Sequence, residues 1–395
     1  MRQNEKTMEI KIVSDYETMV SQVPAWDDLA AAALEPNPFY EAWMLLPAIR
    51  HLVAGKEIRV VFVFQGGDDS RPPLLCGVFP LERSPHFMRV PLSTLRLWRY
   101  NHCPITTPLV RKEFARETLA TLFRWLTSGE AGCSLFELPY VPGEGLFSQL
   151  LVEQFTESGI TPFLWECFTR AFFRPLETAD RYLSLALTTK QRSEARRRAR
   201  LLSESGPLEF SVLEPDGDLS RWNESFLKLE ASGWKGREGS ALACRGSHRA
   251  FFLEATAGAF QRNRLLMPAV LLGGTPIAQN SFFLAGHGCF YFKTGFDEQY
   301  AKFAPGFHLE CETIRCLHSR PGIDWMDTCT GRDNELYNRL FLDRRSIQTL
   351  LVPVRGGVRE VAVSLLPALR SMKRAVKGAL RPASEAKTDR EDSAR

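Results

Sequence analysis

The sequence predicts an α/β protein, of the α+β kind, with two tandem lobes, each a mixed, mainly antiparallel sheet flanked by helices. Three observations predict it. A length of 395 residues corresponds to two to three domains at roughly 150 residues each. A hydrophobic content of 44%, with 11% aromatic residues, is ample for buried cores. One order of elements (three meandering strands, loop, helix, strand, helix, strand) occurs in each half. That favours two copies of one fold over one large sheet.

In the first half, "NPFYEAWMLLPAIRHLV" reads as helical. The β-branched and aromatic runs "IRVVFVF" and "PLLCGVFPLE" read as strands joined by the turn-forming "QGGDDSRPP". "TLRLWRY" is a third strand. After the loop "NHCPITTPLV" comes the helix "RKEFARETLATLFRWL", then the strand "SLFELP", a helix over 146–158 and the strand "FLWECFTRAFF".

The second half opens with helices at "LSRWNESFLKLEAS" and "HRAFFLEATAGAFQRN". Strand "LLMPAVLL" turns through "GGTP" into "IAQNSFFLA", and "GHG" turns into "CFYFKTGF". The helix "FHLECETIRCLHSR", strand "IDWMDTC", helix "NELYNRLFL" and strand "SIQTLLVP" complete it. The expected divisions are residues 1–178, 179–355 and a tail, 356–395. In the tail Val361, Leu365, Leu366, Leu369, Met372 and Val376 share one helix face among basic residues. Such a helix docks on its own protein, or on a protein partner or membrane surface.

A net charge of +4 is small for this length and does not mark a dedicated nucleic-acid binder. Nine cysteines without CxxC pairs fit neither a disulfide framework nor a zinc ribbon. The N-terminus lacks the apolar core of a signal peptide, and no apolar run approaches the ~20 residues of a membrane span. The expectation is a cytoplasmic protein. Between the halves, six of the eleven residues from Lys190 to Arg200 are basic. They read as a solvated helix face or as a patch for a phosphate-rich ligand.

"YFKTGFDEQYAKFAPGFHLE" runs from a strand through a charged loop into a helix. A helix N-terminus presents unpaired N–H groups and attracts anions. Lys302, Ala304, Pro305, Gly306 and Phe307 thus have the layout of a phosphate cradle. They also fit an ordinary strand-to-helix turn stiffened by proline.

The second half resembles the Gcn5-related N-acetyltransferase superfamily. More closely, it is similar to the BioF2-like (CelD-type) acetyltransferase domain and its FemAB relatives. The resemblance is carried by "RRRARLLSESGPLEF", "SGWKGREGSAL", "HRAFFLEATAGAF", "PIAQNSFFLAG", "YFKTGFDEQYAKFAPG" and "DTCTGRDNELYNRLFLDRRSI", between Arg196 and Ile347. The first half resembles the family in pattern only. The family cradle reads Arg/Gln-x-x-Gly-x-Gly/Ala. Here it is K-F-A-P-G-F, lacking the first glycine and one N–H donor.

The resemblance implies transfer of an acyl group, acetyl above all, from acyl-coenzyme A to an amine or hydroxyl of a sugar, envelope or polysaccharide-related acceptor, without a metal. Lys302, Ala304, Gly306 and Phe307 would hold the donor. Asp297 or Asp327 would take the acceptor's proton or orient it, and Tyr337 would protonate the departing thiolate. Both aspartates also suit helix caps or loop anchors, and Tyr337 also suits a core. Trp234, Lys235 and Arg237, with Lys293 on the strand, would form the substrate wall. His287 reads as a surface residue. His102 and Cys103 are adjacent on an extended segment and point apart, which disfavours a catalytic dyad. Two other readings stand beside this one: a FemAB-like aminoacyl transferase using charged tRNA, and a non-catalytic scaffold of exopolysaccharide assembly.

Overall fold

The computed structural model describes residues 7–67 and 72–354. The tail expected at 356–395 lies outside them. No helix among the described residues is long and apolar enough to cross a membrane.

The first half runs β1 (Met8–Val13), α1 (Tyr16–Ser21), α2 (Val23–Ala31), α3 (Ala42–Leu52), β2 (Glu57–Gln65), β3 (Leu74–Ser84), β4 (Thr94–Leu97), β5 (Leu109–Val110), α4 (Ala115–Ser128), β6 (Leu135–Pro142), α5 (Leu146–Glu157) and β7 (Phe163–Phe173). The second begins with α6 (Ala179–Ala186), α7 (Thr189–Ser203), β8 (Leu208–Val212), α8 (Leu219–Ser232), α9 (Trp234–Arg237) and α10 (Gly246–Gln261). It continues with β9 (Leu265–Leu266), β10 (Pro268–Leu272), β11 (Thr275–Ala285), β12 (Gly288–Phe296), α11 (Pro305–Ser319), β13 (Trp325–Asp327), α12 (Glu335–Leu340) and β14 (Asp343–Pro353). The expected order is present in both halves. α7 opens on a capping box between Thr188 and Gln191, which satisfies two N–H groups of its first turn. α11 opens on Pro305, whose fixed φ suits a first helical residue.

One sheet holds all the strands, in the order β1-β2-β3-β4-β6-β14-β7-β13-β12-β11-β10-β8, with β5 beside β3 and β9 beside β11. Read from its two ends, this order matches strand for strand. The two parallel pairings, β4 with β6 and β12 with β13, occupy corresponding places. The expectation set two copies against one large sheet, and the molecule combines them. The cause is an exchange of last strands. β7 leaves the first half to pair with β13, and β14 leaves the second to pair with β6. β7 and β14 then pair antiparallel from Asp343↔Phe172 to Leu351↔Phe163. In the sheet as built β6 and β13 each have a partner on both sides.

The core is equally shared. Helices α3 and α10 lie against each other across the halves, and the Cβ that an alanine would add at Gly258 falls 3.1 Å from Trp43. Trp43 meets Phe283 at 5.5 Å between ring centres, and Phe39 meets Phe290 edge-on at 6.0 Å. Such aromatic pairs add ~0.5–1.5 kcal/mol each beyond the area they bury.

The exchange places Arg170 of β7 directly opposite Arg345 of β14. Like charges facing each other across a ladder are destabilising. Asp327, the last residue of β13, sits between them. Its carboxylate accepts from Arg170 Nη2 at 2.7 Å, Arg345 Nη1 at 3.1 Å and the backbone N–H of Cys329 at 2.9 Å. Arg170 Nε lies 2.7 Å from Oδ1 without a hydrogen bond's alignment. Asp327 has no solvent exposure and Arg170 has 1%. Breaking a buried pair from one side costs ~3–5 kcal/mol, because the remaining charge loses its partner. Asp327→Asn is therefore expected to lower stability by about that amount in urea unfolding. An unchanged midpoint with slowed turnover would make Asp327 a catalytic base instead.

Candidate active site

β12 and β13 pair over three residues only, from Gly288↔Trp325 to Phe290↔Asp327. At Gly288 a Cβ would lie 2.3 Å from the Trp325 ring, so the glycine lets that ring cross the strand and stack on Phe172. Beyond Phe290 the strands part. β12 continues to Phe296, while the chain after Asp327 turns through Cys329 at φ 54°.

The gap between them is a cleft in two connected parts. The inner part, about 330 Å³, lies between β12, α9 and residues 328–330, with Tyr337 lining it. The outer part, about 380 Å³, reaches the first half at Arg99, His102, Tyr140 and Glu166. Tyr291, Phe292, Lys293, Cys329 and Thr330 border both.

The loop "SGWKGR" forms the inner wall. α8 passes so close to β12 that a Cβ at Gly295 would lie 2.7 Å from Glu230 N. Lys235 Nζ donates to Thr294 O at 2.7 Å and lies 3.6 Å from Glu230. Burial lowers its pKa, and Glu230 opposes that shift. Trp234, half exposed, borders the inner part and donates its backbone N–H to Glu298 at 2.8 Å. Arg237 pairs with the same carboxylate at 2.7 Å and is not among the cleft-lining residues. It braces the loop. Lys293 borders both parts and has no carboxylate within 4.0 Å among the described residues. Burial lowers its pKa; Glu230 opposes this and Lys235 adds to it.

Beneath the inner part is a buried polar cluster. Tyr337 OH donates to Glu310 Oε1 at 3.0 Å, and Asn280 Nδ2 donates to the same oxygen at 3.1 Å. The single hydroxyl proton of Tyr291 has two acceptors, Asn280 Oδ1 at 2.7 Å and Glu310 Oε1 at 2.8 Å. Glu310 Oε2 is buried without a partner. Burial pushes the Glu310 carboxyl up to about 7 despite these hydrogen bonds. Burial and then Glu310 keep the Tyr337 phenol protonated.

Several expected site residues stand elsewhere. Burial pushes the Asp327 carboxyl up, but Arg170 and Arg345 reverse that and hold it below the usual range. Its oxygens are engaged by two guanidinium groups and one backbone N–H, and it does not border the cleft. Asp297 caps the short helix Glu298–Phe303 through Gln299 N at 2.9 Å and does not border the cleft. The cradle is also reduced. Ala304, at a left-handed φ of 54°, is the N-cap, and its carbonyl accepts the N–H groups of Phe307 (3.1 Å) and His308 (3.2 Å) as the first bonds of the helix. Pro305 has no N–H, leaving Gly306 as the donor of that turn. Lys302 lies over the Phe303 ring, and Phe307 packs beside the second hydrophobic core. None of these four residues borders the cleft.

The cleft holds groups the sequence reading missed. Glu310 stood out in one respect, as a carboxylate on the apolar face formed by Leu309, Thr313, Ile314 and Leu317. Arg99 and Glu166 carried no signal, because the strand exchange that brings the first half here is silent in local pattern. His102 and Cys103 form no dyad. His102 Nε2 lies 3.1 Å from His248 Nδ1, and Cys103 Sγ donates to Ile105 O. Burial, then Lys293 and His248, lower the His102 pKa to about 2, so the ring is neutral.

Residues 189–338 match a family model described as an acetyltransferase (GNAT) domain. No curated protein matches the chain. Among solved structures, a conserved protein of unknown function from Bacteroides thetaiotaomicron VPI-5482 is similar over 88% of this chain and 100% of its own, at 11% identity and a TM-score of 0.52. FemX is similar over 82% of this chain and 95% of its own, at 10% identity and a TM-score of 0.52. The C-terminal domain of a putative lysylphosphatidylglycerol synthetase from Agrobacterium fabrum is similar over 89% and 96%, at 9% identity and a TM-score of 0.49. The first two establish a shared fold. The family match marks the chain as an enzyme, an acyltransferase whose GNAT-type domain occupies most of the second half.

Glu310 gives stability a pH dependence of known sign. Unfolded, its carboxyl ionises near the ordinary 4.5; folded, it keeps its proton to about 7. Between those values the folded state binds more protons, so stability falls as pH rises, by up to ~3 kcal/mol. Urea unfolding of the parent and of Glu310→Gln at pH 5 and pH 8 is expected to show the parent losing stability relative to the variant as pH rises. An equal pH response in both would place the Glu310 pKa at its ordinary value.

Proposed function

We propose that the chain is a BioF2-like acyltransferase that moves an acyl group, acetyl above all, from acyl-coenzyme A to an amine or hydroxyl of a sugar, envelope or polysaccharide-related acceptor. The observation that carries this reading is the cleft between β12 and residues 328–334, with Tyr337 and Glu310 beneath its inner part and Lys293 at its middle. The donor's thioester enters the inner part beside Lys235 and Trp234. The acceptor occupies the outer part, where Arg99 suits an acceptor bearing an anionic group.

The acceptor nitrogen or oxygen attacks the thioester carbonyl, and the carbon–sulfur bond breaks. Lys293, whose ammonium form burial disfavours, takes the acceptor's proton. Tyr337 gives its proton to the departing thiolate, and Glu310 replaces it. General acid–base transfers of this kind contribute about 10²–10⁴-fold.

A second reading has one observation in its favour. The reduced cradle, with a single free N–H in its turn, offers little to a pyrophosphate, so an aminoacyl-tRNA donor, delivered as in a FemAB-like transferase, remains an alternative.

Thermal unfolding with acetyl-coenzyme A and with aminoacyl-tRNA separates the donors. A ligand at ~100 times its Kd stabilises by about 2.7 kcal/mol. A Cβ at Gly306 would meet only Phe296, at 3.8 Å, so Gly306→Val is expected to fold and to lose donor affinity. Tyr337→Phe is expected to keep donor binding and to slow transfer by about 10²-fold or more. Undiminished transfer by Tyr337→Phe overturns the assignment of Tyr337. Stabilisation by aminoacyl-tRNA without any by acetyl-coenzyme A selects the second reading.

A further inference from the structure

A second cavity lies away from the cleft. Helices α7 and α11 enclose a groove of about 510 Å³, with α6 as its third wall. Arg192, Arg196 and Arg315 line it, with His308 in the first turn of α11. Arg315 is tied to Glu312 at 2.6 Å. Glu194, the acid of α7, is taken by Arg197 and Arg198. Arg192 and Arg196 have no carboxylate partner among the described residues. Arg192 Nε and His308 Nε2 are buried with no hydrogen-bond partner. Buried polar groups are paired in the great majority of cases, and each exception calls for an explanation.

We propose that this groove binds a small molecule through a phosphate or sulfate monoester group. Arginine forks match the geometry of tetrahedral oxyanions, and the two unpartnered nitrogens await an acceptor. The opposite wall is apolar, with Leu183 of α6, Leu187 just after its end, and Ala195 and Ala199 of α7. The volume exceeds that of a bare anion, so the ligand carries an organic body. The groove shares no lining residue with the acyl-transfer cleft, and His308 lies two residues beyond Gly306 in the first turn of α11.

Binding has a pH signature. His308 faces Asp180 of α6, Arg192 and Arg196 of α7, and Cys311, Glu312 and Arg315 of its own helix. Burial, and then Arg198, lower its pKa. Burial pushes the Cys311 thiol up to about 12, so it stays neutral. A bound anion favours the imidazolium, and affinity rises as pH falls through the histidine range.

Calorimetric titration of the full chain with phenyl phosphate and with sulfate tests this. Phenyl phosphate is expected to bind more tightly than sulfate. The exposed-side variant Arg196→Ser and the double variant Arg192→Ser/Arg196→Ser are expected to weaken both at least tenfold. His308→Gln is expected to flatten the pH dependence of sulfate binding, since sulfate stays a dianion throughout. Lys235→Ala, in the cleft, should leave both affinities unchanged. Undiminished binding in Arg196→Ser and the double variant overturns the site. Sulfate binding as tight as that of phenyl phosphate overturns the monoester assignment.

Discussion

The molecule depends on one buried carboxylate. The exchange of β7 and β14 makes two related halves into a single sheet, and it also brings Arg170 and Arg345 face to face in the interior. Without Asp327 that seam would hold two unpaired cations away from water, which proteins avoid. Asp327 is at the same time the last residue of β13, the strand beside which the cleft opens. Its bond to Cys329 N fixes the first turn of the chain that leaves the sheet. A charge that holds the seam therefore also sets one wall of the cleft. Fold and site share this constraint.

The other wall follows from close approach rather than charge. Gly288 admits the Trp325 ring, and Gly295 admits the backbone of α8. Any side chain at either position would push β12 from its neighbours and alter the width of the gap. Between these walls the groups are poorly hydrated, and charges act strongly on one another in such surroundings. The neutral His102, the proton-holding Glu310 and the disfavoured ammonium of Lys293 all follow from that. The cleft is thus suited to proton transfer between groups that water would fix in their ordinary states.

Much of this was legible in the sequence, and the illegible part has a common cause. Strand Phe163–Phe173 and helix Leu219–Ser232 were readable to the residue, because periodicity and flanking turns are local signals. Which strand β7 would join was not readable. Its apolar residues are equally satisfied beside β13 or in its own half, and nothing local records the choice. Asp327 consequently looked like a candidate base, since its partner Arg170 lies 157 residues away. The cradle was readable in its residue types, but not in its left-handed turn at Ala304, which no residue there announces as a glycine would. Of the run from Trp234 to Arg237, Trp234 and Lys235 border the inner part of the cleft, while Arg237 is taken up by its pairing with Glu298.

The symmetry of the sheet makes the asymmetry of the halves informative. The place in the first half that corresponds to the inner part of the cleft follows β4, beside β6. There Trp98, Tyr100 and Cys103 are buried. Tyr40 OH donates to Trp98 O at 3.1 Å, and Tyr100 OH donates to Phe39 O at 2.9 Å. These contacts close the first half's gap with its own side chains. The same segment, held rigid by that plug, carries Arg99 and His102 to the outer part of the second half's cleft. Closing one gap and furnishing the other are then a single structural event. A half that resembles its partner only in pattern thus contributes to the same cleft: its segment from Trp98 to Pro104 packs within its own half and borders the outer part.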